Sequence, residues 1–253
     1  NPDSGYGFAK LCTGQMTRVM CQQLGITHIW TRIISTYGIG DNPNTLISVI
    51  INDLLKGIKP SLTKCEQVWD YLYAGDAAHA FYRLAEDGHN GSIYVIGSGQ
   101  TKTLREFAEI IRNEINPSLS LGFGERPYYK DQAMHLEADI STLFNDIGWK
   151  PETPFVEGIR KILMEIIIMN SIFQFIKFSI VGLSNTIVAL GIYYFLLWLN
   201  VDYFIANIVS WVSSVFNAFF WNNRYVFKTE IHWIKSLIKT YIAYSASLVI
   251  GLI

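Results

Sequence analysis

Residues Phe178–Val201, reading FSIVGLSNTIVALGIYYFLLWLNV, contain no charged side chain. A helix needs about 20 apolar residues to cross a bilayer, so this run predicts a membrane span. Tyr203–Asn223 is a second uncharged run. Thr240–Ile253 opens a third, too short to span unless it starts near Ile234 or continues past the end. A single run of this kind also reads as a buried core helix, whereas two in tandem with a third begun read as a membrane domain. The charge pattern changes at the same place. Of 20 Lys+Arg and 21 Asp+Glu, only five and two fall in residues 166–253. The near-neutral total therefore blends two unlike halves.

Basic residues flanking the spans set an orientation. The Asn200-Val201-Asp202 connector has none, while Lys161 and Lys177 precede the first span and Arg224, Lys228, Lys235 and Lys239 follow the second. This predicts a multi-pass protein with residues 1–165 and the 224–239 loop in the cytoplasm. Asn185, Asn207 and Asn217 lie within the spans, where amides either join helices or line a path, and the joining role is favoured.

Upstream, residues 1–165 alternate between strand-like and helix-like segments, as an α/β chain does. Asp3 or Ser4 can cap a helix from about Tyr6 to Gly25. Thr27–Ser35 reads as a buried strand, Leu46–Lys56 as a helix with Leu46, Val49, Ile50 and Leu54 on one side, and Val68–Tyr73 as a strand. Asp76–Glu86 is helical and Ser92–Ile96 a strand. Thr103-Leu104-Arg105-Glu106 has capping-box spacing before a stripe of Leu104, Phe107, Ala108, Ile111 and Ile115. Leu119–Phe123 is a further strand candidate. A short helix over Ser141–Gly148 precedes Pro151 and Pro154, and the last helix starts near Phe155.

The chemistry begins at Tyr6-Gly7-Phe8-Ala9-Lys10. Four residues apart on a helix, Tyr6 and Lys10 share a face. An ammonium beside a phenol favours the phenolate and prepares the tyrosine to exchange a proton with a hydroxyl. An exposed Tyr and Lys without function satisfy the same spacing. Cys12, Cys21 and Cys65 read as free thiols, and the five histidines form no ligand-spaced set, so no metal is expected. No basic stripe suggests nucleic acid.

The wider pattern carries more. Asn1–Lys10 resembles the P-x-S-x-Y-G-x-x-K segment of extended short-chain dehydrogenases, the NAD-dependent sugar-nucleotide epimerases and dehydratases. Thr31–Gly38 is similar to that family's R-x-x-x-x-Y-G, and Trp69–Ala78 to its D-Y-x-Y-V-x-D-x-A. Tyr94–Gly99 matches Y-N-I-G-S-G, and Ala138-Asp139 with Leu143–Pro151 the closing A-D and L-G-W-x-P. The resemblance implies the C-terminal part of an incomplete Rossmann-type fold with its substrate-binding region, over residues 1–165. It implies NAD or NADP, a nucleotide-sugar substrate and a homodimer. Tyr6 would be the acid/base, with Lys10 on the nicotinamide ribose and Arg32 beside the cofactor. Tyr37, Gln67, Asp70, Tyr71 and Arg126 would meet the substrate. Arg32 also reads as a strand-end partner of a carboxylate, Arg126 as a surface residue and Asp76 as a helix N-cap. The family's G-x-x-G-x-x-G turn is absent. Gly97-Ser98-Gly99 does not replace it, because Lys102 stands where a small residue is needed. This chain alone is expected to be inactive.

Phe175–Thr186 and Asn217–Phe227 resemble two conserved-looking segments of the GtrA-like membrane proteins, over a domain of residues 169–253 truncated within its third span. Those proteins are linked to moving polyprenyl-phosphate sugars for cell-envelope polymers. The resemblance puts Lys177 and Arg224 near a lipid phosphate, and positive-inside anchoring explains the same two residues. Met169-Asn170-Ser171-Ile172 reads as a protein start, and both chain ends read as cut. The expectations are therefore an enzyme fragment joined to a membrane domain, a translocation protein with an epimerase-like passenger, or a tethered module without chemistry.

Overall fold

The computed structural model describes residues 4–226 and 233–252, the latter with side chains over 234–245. Asp3, Phe227 and Lys228, named above as a cap, a motif residue and a flanking charge, lie outside the described residues. The chain divides into two compact units, Asn1–Glu165 and Ile166–Ile253.

The first unit opens with α1 (Gly5–Leu24). Ser4 caps it by accepting from the Gly7 amide, and Gly25 ends it at φ 68°, a left-handed conformation that costs glycine little. No residue of α1 is buried. β1 (Trp30–Ile33) pairs in parallel with β5 (Ile93–Ile96), Trp30 opposite Ile93 and Ile33 opposite Ile96. β1 has no second strand partner among the described residues. The expected buried strand is thus shorter and half exposed, because a parallel strand is buried only when both its edges and both its faces are covered.

After a break at Ile34–Ser35 the chain forms β2 (Thr36–Tyr37), parallel to β4 (Leu72–Tyr73). The single strand expected over Val68–Tyr73 splits at Tyr71. Its first part, β3 (Val68–Asp70), instead runs antiparallel to β6 (Thr101–Thr103), a strand the sequence did not announce. Leu119–Phe123 forms no strand; only a Ser61–Gly122 bridge marks it. In α2 (Leu46–Leu55) the buried face is Ile47, Ile50, Ile51 and Leu54, one position round from the expected stripe.

α3 (Ala74–Asp87) joins β4 to β5 and buries Ala77, Ala80 and Leu84 against Leu72, Tyr94, Ile96, Leu143, Ile147 and Trp149. Asp76 lies in its first turn rather than at its N-cap, which is Tyr73. It accepts from the amides of Glu152 (3.2 Å) and Thr153 (2.8 Å) and from the Thr153 hydroxyl (3.0 Å), fixing the turn before the last helix.

α4 (Leu104–Ile115) carries the complete capping box, Thr103 accepting from the Glu106 amide and Glu106 accepting from the Thr103 amide. The Thr103 amide first, and the Thr103 hydroxyl second, both donating to Glu106 Oε2 at 2.7 Å, hold the Glu106 carboxyl below the usual range. Its folded pKa being the lower, the stabilisation is full above the ordinary glutamate value and fades as acid protonates the folded carboxylate. Thr103→Ala should cost about 1 kcal/mol, and should flatten the acid limb of a urea-midpoint titration. α5 (Ser141–Ile147) ends at Gly148, φ 65°.

α6 (Phe155–Trp198) is one helix that passes the unit boundary. Its first turns belong to the first unit's core, with Ile159 and Ile162 buried and Arg160 bound to Glu114 through both nitrogens. In the second unit, Asn200 takes φ 59° in the turn to α7 (Tyr203–Trp221), which Asp202 caps by accepting from the Phe204 amide. A π-helical turn, Asn222–Val226, follows, and then α8 (Trp233–Leu252). Tyr241 on α8 donates to the Val212 carbonyl on α7 at 2.8 Å. Among the described residues, Phe155–Trp198 and Tyr203–Val226 are long and apolar enough to cross a membrane. Side chains such as Phe175, Ile180, Leu183 and Ile187 are exposed, as membrane-facing residues are.

Candidate functional site

A groove lies between α1 and β1. It is lined by Tyr6, Lys10 and Arg18 from the helix and by His28, Trp30 and Arg32 from the strand and its approach. The helical spacing places Tyr6, Lys10, Gly14 and Arg18 at successive four-residue steps on one face. A Cβ at Gly14 would stand 3.0 Å from the Trp30 ring, so that the helix and strand approach closely there. Tyr6 is 74% exposed, and the Lys10 ammonium is 5.6 Å from its ring centroid, within cation–π range. The His28 Nε2 is 3.0 Å from the Thr17 hydroxyl, and its ring stacks beside Trp30. Among the described residues, three cationic side chains and no carboxylate line the groove. Such a lining is suited to an anionic ligand.

Of the expected site residues, the structure gathers Tyr6, Lys10 and Arg32 in this groove and places the others elsewhere. Tyr37 is a core residue, not a lining one. It is 1% exposed, donates to the Phe155 carbonyl at 3.3 Å, and packs edge-on to Tyr71 and Tyr73 and tilted on Phe155. Burial first, and the Asp76 charge second, push its phenol far above the ordinary value. Tyr71 is half-buried against Phe107, with its phenol also raised by burial. A tyrosine so placed does not ionise near neutrality.

Asp70 is fully buried, and its carboxylate holds protein rather than substrate. Oδ1 accepts from the Ser98 amide (2.7 Å), and Oδ2 from the amides of Gly99 (2.8 Å) and Ala138 (3.2 Å). The Ser98 and Gly99 amides of the Gly97-Ser98-Gly99 turn are therefore spent on Asp70. This gives the glycines a job: a Cβ at Gly97 would sit 2.2 Å from the Ala138 methyl. Gln67 is buried, and its side-chain oxygen has no partner among the described residues. Arg126 is on an exposed loop, where its amide donates to the Leu62 carbonyl. The loop is tied by the Lys59–Glu125 ion pair and by Arg105 over the Phe123 ring. Lys177 and Arg224 are exposed in the second unit. No metal-ligand cluster occurs among the described residues.

Arg18, His28 and Trp30 were not singled out in the sequence. For Arg18 the signal was present, as the four-residue step that joins Tyr6 to Lys10 reaches it after two more turns.

Residues 1–97 match the model of the NAD dependent epimerase/dehydratase family, and residues 177–253 that of the GtrA/DPMS transmembrane domain. A dTDP-4-dehydro-6-deoxyglucose reductase of Escherichia coli is 29% identical over 170 residues, covering 65% of this chain and 53% of the relative. The UDP-N-acetylglucosamine 4-epimerase of Methanobrevibacter ruminantium superposes with a TM-score of 0.60 at 22% identity, over 67% of this chain and 55% of that one. A Bacillus anthracis dTDP-glucose 4,6-dehydratase in complex with NAD gives 0.58 at 22%, over 65% and 52%. At these identities the two structures show the fold: the first unit is part of a Rossmann-type α/β domain. The chain spans about half the length of the curated relatives it matches.

Proposed function

We propose, for a chain whose residues 1–97 match the model of the NAD dependent epimerase/dehydratase family and whose residues 177–253 match that of the GtrA/DPMS transmembrane domain, that it is part of a membrane-tethered nucleotide-sugar enzyme of cell-envelope polysaccharide synthesis. The observation that carries the enzyme reading is the convergence of Tyr6, Lys10 and Arg32 on one groove. Tyr6 moves the proton at a sugar hydroxyl. Lys10 holds the ribose of NAD or NADP, whose nicotinamide takes and returns hydride when bound. Arg32 neutralises phosphate or orients the ring beside it. A homodimer belongs to the same reading.

The residues present fit only the nicotinamide end of such a cofactor. No G-x-x-G-x-x-G turn stands in this sequence, and the Ser98 and Gly99 amides already serve Asp70. The 253-residue chain by itself should therefore neither hold the cofactor tightly nor turn over. An NADH fluorescence titration of the chain in detergent should show no saturable binding; saturation at micromolar NADH would overturn this.

The second unit suits the alternative, translocation of a polyprenyl-phosphate sugar, with Lys177 and Arg224 at the cytoplasmic face meeting the lipid phosphate. Both readings put residues 1–165 in the cytoplasm of a multi-pass protein. An immunoblot of cytosol against membranes, with an antibody to residues 100–150, tests the tether. One membrane band large enough for both units supports it, and a soluble band alone makes the two units separate proteins.

A further inference from the structure

Among the described residues of the second unit, a hydrogen-bond chain crosses from α6 to α7 and ends beside the basic turn. The Asn217 amide on α7 donates to the Asn185 side-chain oxygen on α6 at 2.6 Å and to the Ser184 hydroxyl at 3.2 Å. Its own oxygen accepts from the Trp221 indole N–H at 3.0 Å. The neighbouring serines behave differently. Ser210, Ser213 and Ser214 each donate to a carbonyl of their own helix, which satisfies them without linking anything. On α6, Val181, Ser184, Asn185, Val188, Ile192 and Leu196 are buried or half-buried at three- and four-residue steps, so Asn185 lies on a packed seam.

Trp221 in turn packs on Tyr225, ring centroids 4.8 Å apart, within the π-helical turn that carries Arg224. A π turn is seldom self-sustaining and needs outside contacts. The Asn222 side-chain oxygen at its start is buried with no partner among the described residues, so the turn gains nothing there.

We propose that Asn217 is a positioning residue: through Trp221 and Tyr225 it sets the π turn, and so the place from which Arg224 meets an anionic lipid headgroup. The inference rests on the reading of residues 166–253 as a membrane domain. In an apolar surrounding the amide has no competing water, so its three bonds direct the indole rather than exchange. Asn185 and Ser184 fix the amide, and the indole fixes the turn.

The test uses the full chain with Cys12→Ser, Cys21→Ser and Cys65→Ala, reconstituted in phosphatidylcholine–phosphatidylglycerol vesicles. A nitroxide label is attached through Arg224→Cys or, as control at the far end of α7, through Tyr203→Cys. Asn217→Leu and the milder Trp221→Phe, which keeps the ring but loses the N–H, should each raise label mobility at 224 about twofold and leave 203 unchanged. Asn185→Leu should reproduce Asn217→Leu, and the two together should add nothing further. An unmoved label at 224, or equal loosening at 203, overturns the inference, the latter by showing a merely structural role. Loss of the parent chain from carbonate-washed vesicles overturns the membrane reading itself, and this inference with it.

Discussion

Asp70→Ala should destabilise the first unit by about 3–5 kcal/mol, as loss of one partner of a buried charged cluster does. The carboxylate is fully buried and binds three backbone amides, two from the Ser98–Gly99 turn and one from Ala138. Alanine leaves the three amides without this acceptor, that of Ala138 buried and those of Ser98 and Gly99 partly so, and a buried orphan costs about 1–3 kcal/mol. Asp70→Asn keeps one acceptor oxygen but sets an N–H against an N–H, so it should recover less than half. The measurement is the urea midpoint of the full chain in detergent, followed by proteolysis within residues 1–165. If Asp70→Ala moved the midpoint no more than an exposed control such as Asp131→Ala, the carboxylate would not be the clamp described here.

Gly158→Ala should cost about 2 kcal/mol despite the roughly 1 kcal/mol that alanine gains over glycine inside a helix. The added Cβ would stand 2.1 Å from the Tyr37 hydroxyl oxygen and 2.8 Å from its Cζ. The ring cannot retreat, because Tyr71, Tyr73 and Phe155 surround it. Tyr37→Phe removes the nearest atom and gives up only a long bond to the Phe155 carbonyl. The two substitutions should therefore be less harmful together than their sum by about 1 kcal/mol, a coupling expected of residues in contact. Strict additivity in thermal melts would mean that α6 shifts to accommodate the methyl.

These two sites mark where sequence reading stopped. Features set by neighbours along the chain were legible: Ser4 before α1, Gly25 and Gly148 after their helices, the Thr103–Glu106 box, and the uncharged runs. Each depends on interactions within a helical turn or on composition. Asp70 and Tyr37 were not legible as interior residues. Asp70's partners are 28, 29 and 68 positions away, and Tyr37's is 118 away. A D-Y-x-Y pattern does not reveal that its carboxylate faces inward. Tyr71 divides two strands that pair with different partners, so a continuous β-like pattern hid a break. Thr101–Thr103 became a strand because Val68–Asp70 lies opposite, not from its own composition. The groove was half legible, since the Tyr6–Lys10 spacing gave the helix side but not the strand that faces it.

The open side of β1 bears on how this protein behaves in solution. Among the described residues Trp30–Ile33 is paired along one edge only, beside Ile33, which is 48% exposed. Such an edge is a template for aggregation, because any extended chain can add to it. Arg32, exposed on that short strand, is the local gatekeeper, its charge discouraging a second copy from docking in register. Replacing Arg32 with an apolar residue should therefore lower solubility as well as remove a charge from the groove.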